Sequence, residues 1–123
     1  MPASVLPLAV VIPTYNRRAI LERTLDALGD QSRRDFRIVV VDDGSTDGTW
    51  EWLEMRAVTA LHPSLSIVRQ ANRGQGQARN HGVRQVGEAL VLFLGDDVIP
   101  CREFVAEHLA AHARLGAGEA RLA

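Results

Sequence analysis

The chain has 123 residues, 46% hydrophobic and 24% charged, which is enough apolar material for one buried core and too short for a second domain. Its 14 Lys and Arg against 15 Asp and Glu give a formal net charge of -1, without the basic excess that a nucleic-acid backbone selects. The single cysteine excludes an internal disulfide and a thiolate metal cage, and the early apolar run Val5 to Ile12, broken by Pro7 and with no basic residue before it, is neither a secretory signal nor a membrane span.

Along the chain, β-branched runs alternate with helical periodicity, which predicts an α/β fold of parallel strands joined by crossover helices. Leu8 to Pro13 reads as a first strand buried on both faces. Asn16 is the expected N-cap of a helix carrying Ile20, Leu21, Leu25 and Leu28 and ending at Gly29. Phe36 to Val41 is the second strand, and the Asp42 to Gly48 segment after it must be a loop. A second helix follows Asp47, whose carboxylate caps it, with Trp50, Leu53, Ala57 and Leu61 three or four residues apart and Pro63 as its stop. Ser66 to Arg69 is a weak third strand, Asn72 to Gly76 a flexible loop, and Ala78 to Val86 a third helix. Ala89 to Leu94 is the fourth strand, stopped by Gly95, Asp96 and Asp97. A last helix spans about Arg102 to Leu115, broken by Gly116 and Gly118.

In an open parallel sheet, ligands bind outside the carboxyl ends of the strands. Here that edge receives Pro13, Thr14, Tyr15, Asn16 and Arg17 from strand one, Asp42 and Asp43 from strand two, and Asp96 and Asp97 from strand four. Each acidic pair alone reads equally as turn chemistry. Together they crowd like charges at one rim, which a cation or hydrogen-bond donors must relieve. Such groups suit a nucleoside diphosphate: a carboxylate accepts from a base N–H or a ribose hydroxyl, a tyrosine ring stacks on the base, and Asp97 offers oxygen to a hard divalent cation. The glycine-rich turn of a dinucleotide site is missing after strand one, and Gly74 to Gly76 lacks the lysine of a P-loop. It is read as a mobile loop from which Arg73 or Arg79 could reach a diphosphate.

Four segments occur in order: Val11 to Arg17 (VIPTYNR), Val39 to Asp47 (VVVDDGSTD), Gly76 to Gly82 (GQARNHG) and Phe93 to Pro100 (FLGDDVIP). Together they resemble the donor-binding half of a family 2 glycosyltransferase with the GT-A fold, over nearly the whole chain. The resemblance implies a Rossmann-like, mostly parallel sheet with helices on both faces, a sugar nucleotide donor such as a UDP-sugar, Mg or Mn, and inversion at the anomeric carbon. Position by position it places Tyr15 on the base with Pro13 and Thr14 lining that pocket. It puts Asp43 on the base N–H, Arg79 near the diphosphate or sugar, Asp96 near the ribose or sugar, and Asp97 on the metal, leaving Asp42 to shape the loop. The first position of the family's DxD-type motif is Gly95 here. The family's general base comes from beyond that motif, so residues 1–123 are expected to be a single donor-binding domain, truncated before the acceptor-binding part, with its base beyond Ala123.

A chain cut there would expose apolar surface and self-associate. The acceptor, whether glycan, lipid phosphate or protein, is left open, as is the sugar. The alternative is a nucleotide-sugar-binding module without transfer activity, and an NAD-binding enzyme is a third choice. No partner nucleic acid and no membrane insertion are expected, and the location is taken as cytoplasmic, at the membrane face in some relatives. His108 and His112, four apart on the last helix, read as core-edge residues rather than metal ligands. His81 reads as a helix-surface residue, Cys101 as a buried or half-buried thiol, Trp50 and Trp52 as helix residues with Trp50 on the packing face, and Arg33 and Arg34 as solvated charges.

Overall fold

The structure, a computed structural model, describes residues 6–59, 63–87 and 90–118. Strands β1 (Leu8–Thr14), β2 (Phe36–Asp42), β3 (Ser64–Arg69) and β4 (Leu90–Phe93) alternate with helices α1 (Arg18–Gly29), α2 (Thr49–Thr59), α3 (Gln75–Arg84) and α4 (Phe104–Gly118). The sheet order is β3-β2-β1-β4, and every pairing is parallel. Register runs from Leu8 opposite Phe36 to Thr14 opposite Asp42, so β1 and β2 end level with one another.

The period of two along each strand divides the core between two faces. Leu8, Val10 and Ile12 of β1 and Phe36, Ile38 and Val40 of β2 pack with Leu21, Leu25 and Leu28 of α1, Leu53 of α2 and Val105 of α4. The alternate residues Val11, Val39 and Val41 pack with Ala78 of α3 on the other side. Flanked by strands and covered on both faces, β1 is buried at every position, which is why it carries an unbroken apolar run. Helix α1 has no side-chain cap and no acidic residue in its first turn, so its buried stripe, Leu21, Thr24, Leu25 and Leu28, holds it in place.

Asn16 does not cap α1. The cap position is Arg17, and Asn16 sits at φ 51, a left-handed conformation that a short amide tolerates. Its Oδ1 accepts from Thr46 N–H at 2.8 Å and its own N–H donates to Ser45 Oγ at 2.8 Å, joining the loops after β1 and β2. At α2, Asp47 Oδ1 accepts from the Thr49 N–H at 3.1 Å, as expected of a cap. Leu61 and Ala89 lie outside the described residues. Trp50 and Trp52 both pack against the core.

Strand β3 starts at Ser64, two residues earlier than the apolar run suggests, because pairing with β2 extends it. Helix α3 starts at Gln75, within the segment read as a loop, with Gly74 at its N-cap, and is held by tertiary contact further along. Gly82 supplies that contact: a Cβ there would lie 2.5 Å from Val11 Cγ1 and 3.1 Å from Val41 Cγ2, so only a glycine lets the α3 backbone rest on β1 and β2. Helix α4 starts at Phe104 and runs through Gly116 to Gly118, so Gly116 does not break it.

Its start is fixed from α1's end by buried Gln31, whose Oε1 accepts from Val105 N–H at 2.9 Å while its Nε2 donates to the Cys101 carbonyl at 2.6 Å. With its carbonyl making that inward contact, Cys101 is exposed rather than buried. His108 and His112 are likewise exposed, not at the core edge, and His108 meets the Phe104 ring edge-on at 4.8 Å. Arg33 pairs with Asp35 on the surface. Among the described residues no helix is long and apolar enough to cross a membrane.

The packing at Gly82 sets a test. Gly82→Ala should destabilise the chain by about 1–3 kcal/mol, the usual effect of overpacking, read as a lower urea midpoint with an unchanged slope.

Candidate functional site

The chain passes from β1 outward to β2 and β3 and then returns to place β4 on the other side of β1. That reversal opens a crevice at the carboxyl edge between β1 and β4, the position where open α/β sheets take ligands. A cleft of about 250 Å³ lies there, lined by Pro13, Thr14, Tyr15 and Arg17 after β1, Asp43 after β2, Gln75 at the start of α3 and Asp96 after β4.

Buried Asp96 spans the crevice. Its Oδ2 accepts from Thr14 Oγ1 at 2.9 Å, its Oδ1 from Arg17 Nη1 at 2.9 Å, and its backbone carbonyl from buried Thr24 Oγ1 at 2.9 Å. Strand β1, helix α1 and the β4 turn therefore meet on one residue. The hydrogen bond to Asp96, reinforced by its charge, raises the Arg17 guanidinium above its ordinary pKa.

Asp43 is held as firmly. Its Oδ1 accepts from Gln70 Nε2 at 2.8 Å and Arg73 N–H at 2.8 Å, and its Oδ2 from Gly74 N–H at 2.9 Å. Burial works to raise its pKa, but the Gln70 amide and the two backbone N–H groups win and hold it below the ordinary 3.8. The carboxylate thus anchors the loop that leads into α3. Gln70 is oriented from behind by His81, whose Nδ1 lies 3.1 Å from Gln70 Oε1. Asp42 is buried, bonded to the Ser45 hydroxyl and at 3.3 Å to its N–H, with Arg69 Nε 3.6 Å from Oδ2.

Pro13, Thr14, Tyr15, Asp43 and Asp96 come together in the cleft, and Tyr15 is left 42% exposed there. Asp97 does not line it. Its side chain is 62% exposed beside the rim, with Oδ2 3.9 Å from Arg17 Nη1. Arg79 is also outside the lining, bonded to Gln75 Oε1 at 3.3 Å with its guanidinium 6.0 Å above the Phe93 ring. Arg17 and Gln75 in the lining, and Gln70 and Thr24 behind it, carry no motif in the sequence that marks them for the site. Only Arg17 left a signal there, as a cation beside a rim whose crowded carboxylates call for one.

Among the described residues no three His, Cys, Asp or Glu side chains are grouped to hold a metal ion. The donor set offers the exposed Asp97 carboxylate, since the Asp96 carboxylate is buried and already paired at 2.9 Å with the Arg17 cation. One hard oxygen donor at an open rim fits a magnesium or manganese ion that draws its other ligands from phosphate and water.

The sequence pattern of the family described as "Glycosyl transferase family 2" matches residues 9–118. The validoxylamine A glucosyltransferase of Streptomyces hygroscopicus subsp. jinggangensis is 43% identical over 112 residues, covering 86% of this chain and 25% of that protein. The uncharacterized glycosyltransferase YfnE of Bacillus subtilis is 32% identical over 105 residues, 85% of this chain and 26% of its own. Among solved structures, S. aureus TarS 1-349 in complex with UDP-GlcNAc superposes with a TM-score of 0.81 at 29% identity, covering 90% of this chain and 32% of that one. The mannosyltransferase PcManGT from Pyrobaculum calidifontis, in complex with GDP-Man and Mn2+, gives 0.76 at 31% identity, covering 85% and 31%. The chain thus spans about a quarter of the length of these two curated relatives.

The Asp43 bonds predict a pH signature. Asp43→Asn sets an amide N–H2 among three donors and should cost about 1–3 kcal/mol at neutral pH. Because the folded-state pKa is depressed, the carboxylate's contribution is fully present above 3.8 and disappears as pH falls through its folded value. Urea denaturation across that range should therefore show the gap between native and variant chains closing toward acid.

Proposed function

The chain belongs to glycosyl transferase family 2, whose pattern covers residues 9–118, and from that premise we propose that its cleft binds the nucleotide of a nucleoside-diphosphate sugar for inverting sugar transfer. The observation that carries this reading is the meeting of Tyr15, Asp43 and Asp96 in one cleft at the reversal of strand order. A uridine donor is favoured by likeness to the TarS complex with UDP-GlcNAc.

In this reading Tyr15 stacks on the base, with Pro13 and the Thr14 side of the cleft closing around it. Asp43 has accepted two hydrogen bonds on Oδ1 and one on Oδ2, so one lone pair remains for a base N–H. Asp96 holds one bond on each oxygen and keeps acceptor capacity for a ribose or sugar hydroxyl. Asp97 would hold a magnesium or manganese ion jointly with diphosphate oxygens. When bound, such an ion supplies neutralising charge and Lewis acidity to the departing diphosphate. Arg79 reaches the diphosphate only by leaving the Phe93 ring.

Asp43 and Asp96 are committed to their donors and to the nucleotide, so the base that deprotonates the acceptor is assigned to residues outside this cleft. That favours, as a second reading, donor binding without turnover by this chain alone.

Calorimetry with UDP, with and without Mn2+, is the direct test. The native chain should bind UDP more tightly with metal than without. Tyr15→Ala should weaken binding about tenfold by removing the stacked ring, and Asp97→Ala should abolish the metal dependence while keeping metal-free binding. Absence of binding to any nucleoside diphosphate sinks both readings, and sugar transfer by the isolated chain removes the second.

A further inference from the structure

Asp96 and Asp97 are consecutive carboxylates, and the guanidinium of Arg17 serves both, 2.9 Å from Asp96 Oδ1 and 3.9 Å from Asp97 Oδ2. Arg17 lines the cleft and is half exposed, so its charge faces the space that the donor reading assigns to the diphosphate. A divalent ion approaching Asp97 would meet a carboxylate pair already half neutralised and a fixed positive charge beside it. A fixed positive charge this close opposes an incoming cation even in water, and opposes a divalent ion more than a monovalent one. A diphosphate reverses the balance, because it brings several negative charges to the same rim.

We propose that Arg17 is the resident counter-ion of the β4-end carboxylates, keeping a divalent cation from settling on Asp97 until a diphosphate arrives, so that metal and nucleotide bind as a pair. The proposal rests on the donor-binding reading and adds an order to it. Anchoring of the turn does not depend on Arg17 alone, since Thr14 holds the Asp96 carboxylate and Thr24 its carbonyl. Removing the guanidinium therefore changes charge more than architecture.

Mn2+ binding, read from the electron paramagnetic resonance signal of the free ion, tests this without any turnover. In the absence of nucleotide, Arg17→Gln should bind Mn2+ roughly tenfold more tightly than the native chain. Arg17→Lys should stay near native, and Arg17→Gln combined with Asp97→Asn should lose the gain. Arg17→Met, which keeps the aliphatic stem, serves as the neutral variant where Arg17→Gln fails to fold. The advantage of the neutral variant should shrink at high salt, as screening of a charge effect requires.

With UDP added, the factor by which nucleotide and metal raise each other's affinity should be larger in the native chain than in the neutral variant. Equal Mn2+ affinities in native and neutral chains that both bind UDP overturn the counter-ion role, as does tight Mn2+ binding by the native chain without nucleotide. Failure of the native chain to bind UDP overturns the donor reading instead, a result that the nucleotide-free metal titration does not depend on.

Discussion

Four carboxylates end on one edge of the sheet, and the rest of the site is arranged around compensating them. Asp42 ends β2 and Asp96 follows β4, the two strands that flank β1, and Asp43 and Asp97 follow directly in the chain. Three of the four are buried, where an unpaired charge is costly. Each buried one is answered: Asp42 Oδ1 by the Ser45 hydroxyl and N–H, with the Arg69 charge 3.6 Å from its otherwise unbonded Oδ2, Asp43 by Gln70 and the Arg73 and Gly74 amides, and Asp96 by Thr14 and Arg17. Asp97 stays in water.

These bonds define the site and also assemble the upper edge of the fold. Asp96 ties the turn after β4 to β1 and α1, while Asp43 ties the loop before α3 to the end of β2. Through Ser45 and Asn16 the Asp42 network reaches Tyr15's own loop, so the ring that would meet a base hangs from backbone fixed on both sides. Polar groups satisfied in this way specify geometry more than they add stability, which is what a recognition site requires.

What the sequence discloses follows the range of the interactions. Strands β1 and β2 and the apolar stripe of α1 are legible because burial on both faces and helical spacing are local patterns. So was the edge at which the polar residues gather, since parallel order fixes the carboxyl ends. The partners were not. Gln70, Thr24 and Gln31 lie 27, 72 and 74 residues from the groups they bond, and no local pattern marks them. Asn16 misled for the same reason: an amide before a helix has the chemistry of a cap, but Thr46, 30 residues away, took its oxygen instead. At α3, Gly82, a poor helix former by local propensity, is what allows the helix to sit against Val11 and Val41.

Gly95 shows how a sequence departure changes meaning once placed in space. Against the DxD-type pattern it reads as a lost acidic ligand. In the fold, a Cβ at Gly95 would lie 3.0 Å from Asp97 Oδ1 and 3.4 Å from Val98 Cγ2, inside a turn closed by the Val98 N–H on the Gly95 carbonyl at 3.2 Å. A side chain there would press on the carboxylate of Asp97, and an acidic one would add like charge to the contact. The glycine therefore leaves room for Asp97 to fold over its own turn, within reach of Arg17. With one guanidinium already shared by two carboxylates, an acid at position 95 would deepen the excess of negative charge at this turn.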